Sequence, residues 1–248
     1  MVLIDILRLL CVFSMVLPAT LGNIIFYPVS KRISLRISHY IGDTLAPRLF
    51  AMLDMFWNFK FWSYGKELLP KQFLVISNHQ SFLDIAAFLK FFHGKEIRFV
   101  SKDALKRHVP LISEKLRVEE HCLISRKAKP MESMKFLGDF GKKASERGQC
   151  PIIFPEGTRT RDGNVGKFYS AGFRKLSETS NLPVVLCALD GGYHLRDLKN
   201  FISRIRSGCY RVKVLKVYEP PKTKEECNII LEEGSALIQK QLEEWRTI

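Results

Sequence analysis

A chain of 248 residues, 46% hydrophobic and 26% charged, has the composition of a folded protein, long enough for one sizeable α/β core with an appendage. Thirty-nine Lys and Arg against 25 Asp and Glu leave a formal charge of +14, which calls for an anionic partner: nucleic acid, an acidic membrane surface or a phosphorylated substrate. Six cysteines are scattered without a C-x-x-C pair, which argues against a zinc site or a disulfide framework and fits a reducing compartment.

From Leu9 to Tyr27 no residue is charged, close to the length of about 20 residues that crosses a bilayer, with Pro18 and Gly22 placed to kink such a helix. Lys31, Arg32 and Arg36 follow at once, whereas only Asp5 and Arg8 precede it, a bias that places everything downstream in the cytoplasm. The alternative is a cleaved signal peptide; the long apolar run and the acidic Asp5 favour an anchor. A second stretch, Leu45 to Tyr64, puts Leu45, Leu49, Leu53, Phe56 and Trp57 on one helical face, with Trp57, Trp62 and Tyr64 as interfacial anchors and Arg48 and Lys60 to snorkel. It reads as a helix lying on the membrane or, alternatively, as a core helix. The expected organisation is therefore a membrane-anchoring helical segment, 1–64, and a second domain, 65–248.

In "FLVISNHQSFLDIAAFLKFF" (73–92) a polar cluster interrupts two apolar runs. Phe73 to Ile76 has strand length and β-forming residues, while Phe82, Leu83, Ala86, Leu89 and Lys90 recur at helical spacing behind Ser81, a good N-cap. His79 and Asp84, five apart, meet neither on one helix nor on one strand, only across a strand-to-helix bend. A turn at a strand's carboxyl end is the usual place for ligand chemistry in α/β sheets. Ser81 and Asp84 also form S-x-x-D, so a plain capping box is the other reading.

"CPIIFPEGTRTRDGNVGKF" (150–168) repeats the logic: a strand, Ile152 to Phe154, runs into a turn rich in Gly and charge. Gly157 permits a positive φ, and Arg159 offers a planar fork that matches phosphate oxygens. Glu156 is placed to accept from a hydroxyl or to hold Arg159. An ordinary surface turn with a Glu–Arg pair fits the same residues. Near the end, Thr223 and Glu226 form T-x-x-E ahead of a helical face that includes Ile230, Leu237, Leu242 and Trp245, a helix that would pack on the domain.

"NHQSFLD" and "FPEGTR", in this order and about seventy residues apart behind a membrane-seeking N-terminus, resemble the glycerolipid acyltransferase family, in particular the bacterial 1-acyl-glycerol-3-phosphate acyltransferases. The motifs N-H-x-x-x-x-D and F-P-E-G-T-R are matched without substitution. A block with Lys102, Pro110 and Arg126 is recognisable between them, although Ser113 and Glu120 stand where the family usually has Gly. A later block keeps Pro183 and has Leu186 where a second Pro is expected. The resemblance spans about Gly65 to Tyr218. It implies an α/β fold, a central mixed sheet flanked by helices of the glycerophosphate acyltransferase kind, preceded by N-terminal membrane-associated helices.

By this resemblance the activity is acyl transfer to the sn-2 hydroxyl of 1-acyl-glycerol-3-phosphate, giving phosphatidate. The donor, acyl-CoA or acyl carrier protein, is a co-substrate; no cofactor and no metal are expected. Histidine changes charge nearest neutral pH, so His79 is the candidate base and Asp84 its orienting carboxylate. With no G-x-S-x-G elbow, the acceptor's own hydroxyl is the nucleophile. Asn78, Glu156, Gly157, Thr158 and Arg159, with Arg126 in support, form the expected substrate-binding set, and Lys102 is a candidate for oxyanion stabilisation. The expected location is the cytoplasmic face of a membrane, with membrane phospholipid and lysophospholipid as partners. Zinc-finger spacing, basic-region heptads and RNA-binding aromatics are missing, so nucleic acid is not an expected partner. Two alternatives remain: an acyltransferase for another lysolipid or for glycerol 3-phosphate, and a non-catalytic membrane-surface adaptor binding anionic lipid.

Overall fold

The computed structural model describes residues 2–102, 112–125, 128–195, 201–206 and 208–247. It opens with three helices, α1 (Val2–Phe26), α2 (Lys31–Tyr40) and α3 (Ala46–Trp57). Ser30 caps α2 by accepting the Ile33 amide. A single π turn, Ile41–Leu45, joins α2 to α3 without a break in the rod. The domain follows as β1 (Lys60–Tyr64), β2 (Leu74–Ser77), α4 (Leu83–Phe91), β3 (Ile97–Lys102), α5 (Ile112–Val118), β4 (Cys122–Ile124), α6 (Pro130–Glu146), β5 (Cys150–Ile153), α7 (Ser170–Ser180), β6 (Val184–Asp190), α8 (Phe201–Ile205), β7 (Cys209–Tyr218) and α9 (Lys224–Thr247).

The strands form one mixed seven-stranded sheet in the order β1-β7-β6-β2-β5-β3-β4, parallel except for the antiparallel pair β6 and β7. Strands covered on both faces read as continuous apolar runs, and every residue of β2, β5 and β6 is buried. The period of two sorts their side chains: Phe73 and Val75 join Phe88, Phe91 and Phe99 on the α4 side, Leu74 and Ile76 join Phe173, Leu176 and Leu242 on the side of α7 and α9. Adjacent parallel strands β2 and β5 thus send their following helices to opposite faces, and that divergence opens a crevice at their carboxyl ends.

The N-terminal region differs from the sequence expectation in two ways. Leu45 to Tyr64 is not one helix: α3 ends at Asn58, whose φ of 55° makes a left-handed cap, and Trp62 and Tyr64 lie on β1, partly exposed. The apolar face of α3 meets protein, with Leu53 and Trp57 buried in the core and Leu45 buried against Ala19 of α1. An amphipathic stripe has the same period whether lipid or a sheet covers it. β1 also pairs with β7, so the sheet takes in residues that the sequence assigned to the anchoring segment.

α1 is long and apolar enough to cross a membrane, and it runs through Pro18 as one helix. One side is exposed and apolar, including Leu7, Leu10, Phe13, Leu17 and Leu21. The opposite side is tied to the protein near both ends: Asp5 accepts from the Trp57 indole at 2.9 Å and from Arg206, and Asn23 accepts from Ser34 of α2 at 2.6 Å.

Candidate active site

The turn at the end of β2 brings His79 and Asp84 together. His79 Nδ1 lies 2.6 Å from Asp84 Oδ2, and that same oxygen accepts the backbone amides of Gln80 at 2.7 Å and Ser81 at 3.0 Å. The amide from Ser81 thus makes the backbone contact that S-x-x-D suggests, on the same oxygen that faces His79. The helix itself begins one residue later than Ser81 suggests, with Phe82 as its N-cap. Asp84 is fully buried, and its Oδ1 accepts the hydroxyl of Tyr210 on β7. A carboxylate with this many donors is held in one orientation. The imidazole stacks on Phe154 with centroids 4.1 Å apart, and its Nε2 has no hydrogen bond among the described residues.

The second turn sits beside the first because β5 neighbours β2. Gly157 adopts φ 63°; a Cβ there would touch nothing, so the requirement for glycine is conformational. Gly157 and Thr158 are exposed, and the Arg159 guanidinium lies 3.9 Å over the ring of Phe82, the residue three positions beyond His79. Thr160 donates its amide to the His79 carbonyl at 2.8 Å, which joins the two turns directly.

Two members of the expected substrate-binding set face inward. Glu156 is buried; Oε1 accepts the His79 amide at 2.9 Å and Oε2 the Gly166 amide at 3.1 Å. Burial pushes its carboxyl up to about 6. Asn78 is fully buried, and its amide group exchanges both hydrogen bonds with the backbone of Leu189 on β6. Both side chains therefore build the turns from behind, a direction that a motif's letters do not carry. Lys102 ends β3, with its side chain outside the described residues, and Arg126 lies outside them altogether. Among the described residues no group of three or more His, Cys, Asp or Glu is placed to hold a metal ion.

Beside the histidine turn, between the N-terminal helices and α4, lies an apolar cavity of about 140 Å³, lined by Val16, Leu45, Leu49, Phe82, Ala86 and Leu116 among others. Behind its lining, reached by Lys115 and His121, lies a buried polar cluster. Lys115 reaches Glu119 at 2.5 Å, Ser38 of α2 donates to the same Glu119 oxygen at 2.6 Å, and His121 Nε2 lies 3.1 Å from the other. His121 Nδ1 accepts the Phe99 amide, so the ring is neutral with its proton on Nε2; burial holds its pKa down at about 4. This buried cluster ties α2 to α5 across the cavity wall, and nothing in the sequence pattern singled it out.

Residues 60–190 match the acyltransferase family model. The chain is 29% identical over 162 residues to a chloroplastic 1-acyl-sn-glycerol-3-phosphate acyltransferase of Arabidopsis thaliana, covering 63% of this chain and 42% of that protein. It is 31% identical over 131 residues to a 1-acyl-sn-glycerol-3-phosphate acyltransferase of Pseudomonas aeruginosa, covering 52% and 49%. The chain thus spans about half the length of the curated relatives it matches. The crystal structure of the 1-acyl-sn-glycerophosphate acyltransferase PlsC of Thermotoga maritima superposes with a TM-score of 0.63 at 22% identity, over 96% of this chain and 98% of that one. It shares the α/β fold, and the likeness extends through the N-terminal helices. With a match over more than half its length that contains both the histidine turn and the Arg159 turn, the chain belongs to the acyltransferase family.

Proposed function

We propose that the protein transfers a fatty acyl group from acyl-CoA or acyl carrier protein to the sn-2 hydroxyl of 1-acyl-glycerol-3-phosphate, giving phosphatidate. The observation that carries this reading is the position of the His79–Asp84 pair, between an exposed turn bearing Arg159 on one side and an apolar cavity on the other. A phosphate and an acyl chain would each find a matching surface within reach of one base.

With Nδ1 turned to Asp84, His79 takes the hydroxyl proton at Nε2 as the acceptor oxygen attacks the thioester carbonyl carbon. The C–S bond then breaks, and the imidazolium returns the proton to the departing sulfur. Asp84 stabilises the charged ring and keeps its proton on Nδ1 in the resting state. Arg159 holds the acceptor phosphate, with Gly157 and Thr158 exposed beside it; Arg126 is its proposed support, and Lys102 the proposed donor to the oxyanion. The acyl chain enters the cavity past Phe82 and Ala86.

The apolar side of α1 binds the membrane. Because the opposite side is bonded near one end to α3 and the domain through Asp5 and near the other to α2 through Asn23, α1 lies along one leaflet, with the domain on the cytoplasmic face where soluble thioester donors are found. The test is an acceptor panel with purified protein in detergent and radiolabelled donor. Lysophosphatidate should be acylated at least about tenfold faster than lysolipids whose phosphate carries a further ester, the difference expected from one charged contact, and faster than glycerol 3-phosphate, which has the phosphate but no acyl chain to bury. Preference for a different acceptor would overturn the substrate, and no transfer to any acceptor would favour a lipid-binding adaptor.

A further inference from the structure

Two side chains of the C-terminal helix hold the loop that follows Arg159. Gln239 Oε1 accepts the Val165 amide at 3.1 Å, and the Arg246 guanidinium donates to the Gly163 carbonyl at 2.7 Å and to Asn164 Oδ1 at 3.4 Å. Gln239 and Arg246 are about two helical turns apart, so they project from one face of α9. The same guanidinium donates to Asp190 Oδ1 at 2.8 Å and lies 4.8 Å from the centroid of the Tyr193 ring.

The contacts continue to the histidine turn through Gln80, the fully buried residue next to His79. Gln80 Nε2 reaches the Gly163 carbonyl and Asp190 Oδ1, each at 3.4 Å, and Gln80 Oε1 accepts the amides of Gly192 at 3.0 Å and Tyr193 at 3.3 Å. Gly163 is built for this approach: its φ is 86°, and a Cβ there would come within 2.9 Å of the guanidinium and 2.8 Å of the Tyr193 ring.

We infer that Gln239 and Arg246 are positioning residues, which clamp the 160–166 loop and so determine where Arg159 presents its charge to the acceptor's phosphate. The inference rests on the reading of Arg159 as the phosphate site. Upstream of Arg159, Gly157 and Thr158 are exposed, and the Thr160 amide bond to the His79 carbonyl fixes the backbone just beyond the arginine, so what remains for the clamp to order is the loop that follows. Downstream, the loop's ends are tied to His79 through Thr160 and to Glu156 through Gly166, and Asp162 bonds Thr160 and Asn164 within it; the stretch between the ends, which contains Gly163, would sample more conformations without the clamp. An unclamped loop must be ordered when the acceptor binds, which raises the acceptor's KM and leaves the donor's KM alone. A residue that only stabilised the fold would lower the melting temperature without separating the two. Both residues lie outside the matched 60–190 segment, so α9 contributes to the site as well as to the core.

The experiment compares Arg246→Ala, Arg246→Lys and Gln239→Ala with the unaltered protein. Hydrogen exchange followed by mass spectrometry should show the 160–166 amides exchanging roughly tenfold faster or more in Arg246→Ala, the order set by loss of one charge-assisted hydrogen bond, with β2 and β5 unchanged. The acceptor KM should rise by a similar factor while the donor KM stays within about twofold, and millimolar guanidinium should partly restore it in Arg246→Ala. Lysine keeps the charge without the fork and should give an intermediate result. Gln239→Ala, at a half-buried position away from the core, should show the same pattern more weakly and serves if Arg246→Ala does not fold. Unchanged exchange in 160–166, or equal changes in both KM values, overturns the inference. If the unaltered protein transfers no acyl group, the reading of the site fails, and the exchange result still decides whether the clamp exists.

Discussion

The hydroxyl of Tyr210 donates to Oδ1 of Asp84 from a position 126 residues further along the chain, and Gly192 leaves the room for it. A Cβ on Gly192 would stand 2.6 Å from that hydroxyl and 3.0 Å from the carboxylate oxygen. Tyr210→Phe keeps the ring and strands Oδ1 in a fully buried site. We expect a loss of about 1–3 kcal/mol of stability, the penalty of an unsatisfied buried acceptor, measured by urea unfolding. Acyl transfer should fall as well, because the carboxylate that orients His79 loses its second anchor. Stability within about 0.5 kcal/mol of the parent would show that the bond contributes little.

Glu156 makes stability depend on pH. Burial raises its folded pKa to about 6 from 4.5, so the folded state keeps a proton that the unfolded chain releases. Its contribution is therefore fully present below the unfolded value and is lost as pH rises through about 6, a change of about 2 kcal/mol. Glu156→Gln removes the titration, so the difference in unfolding free energy between variant and parent should move in the variant's favour between about pH 4.5 and 6.5. Activity should not follow: glutamine cannot accept both the His79 and the Gly166 amides, and transfer should drop at every pH. A pH-independent stability difference would contradict the assignment.

Ala86 faces the apolar cavity from α4, half-buried. Ala86→Phe would fill much of the space beside Phe82. Donors with long acyl chains should lose at least about tenfold in kcat/KM while short-chain donors lose little, since each buried methylene contributes about 0.8 kcal/mol. Equal losses for both donors would place the acyl chain elsewhere.

The exposed side of α1 should carry membrane binding. Leu7, Leu10 and Leu17 are each more than half exposed, and burying one such side chain in lipid contributes about 1.5–3 kcal/mol. Replacing all three with Ser should release the protein from sedimenting anionic vesicles while its circular dichroism and melting temperature stay close to those of the parent. Undiminished vesicle binding would assign the contact to another surface.

The local half of the site is legible in the amino-acid sequence. His79 and Asp84 are five residues apart, and the change from strand to helical periodicity between them requires the bend that joins them. The long-range half is not legible there. Tyr210, Asp190 and Arg246 reach the site only because β6 and β7 pair and α9 folds back across the sheet, and no spacing records that. Motif letters carry residue types without directions, which is why Asn78 and Glu156, expected to face substrate, bond backbone instead. Glu120 shows the reverse. It stands where the resembled family usually has Gly; its φ of 58° is a conformation that glycine adopts freely, and here Glu120 also pairs with Lys31 and Arg147.

The most direct test of the proposed chemistry is radiolabelled acyl transfer to lysophosphatidate, from acyl-CoA and from acyl carrier protein, by the purified protein beside His79→Ala. Phosphatidate formed by the parent, and reduced by about 10²–10⁴-fold in a variant that still melts cooperatively and binds vesicles, is the predicted result. Equal rates in parent and variant would contradict the role of His79, and no product from the parent with either donor would contradict the proposed reaction.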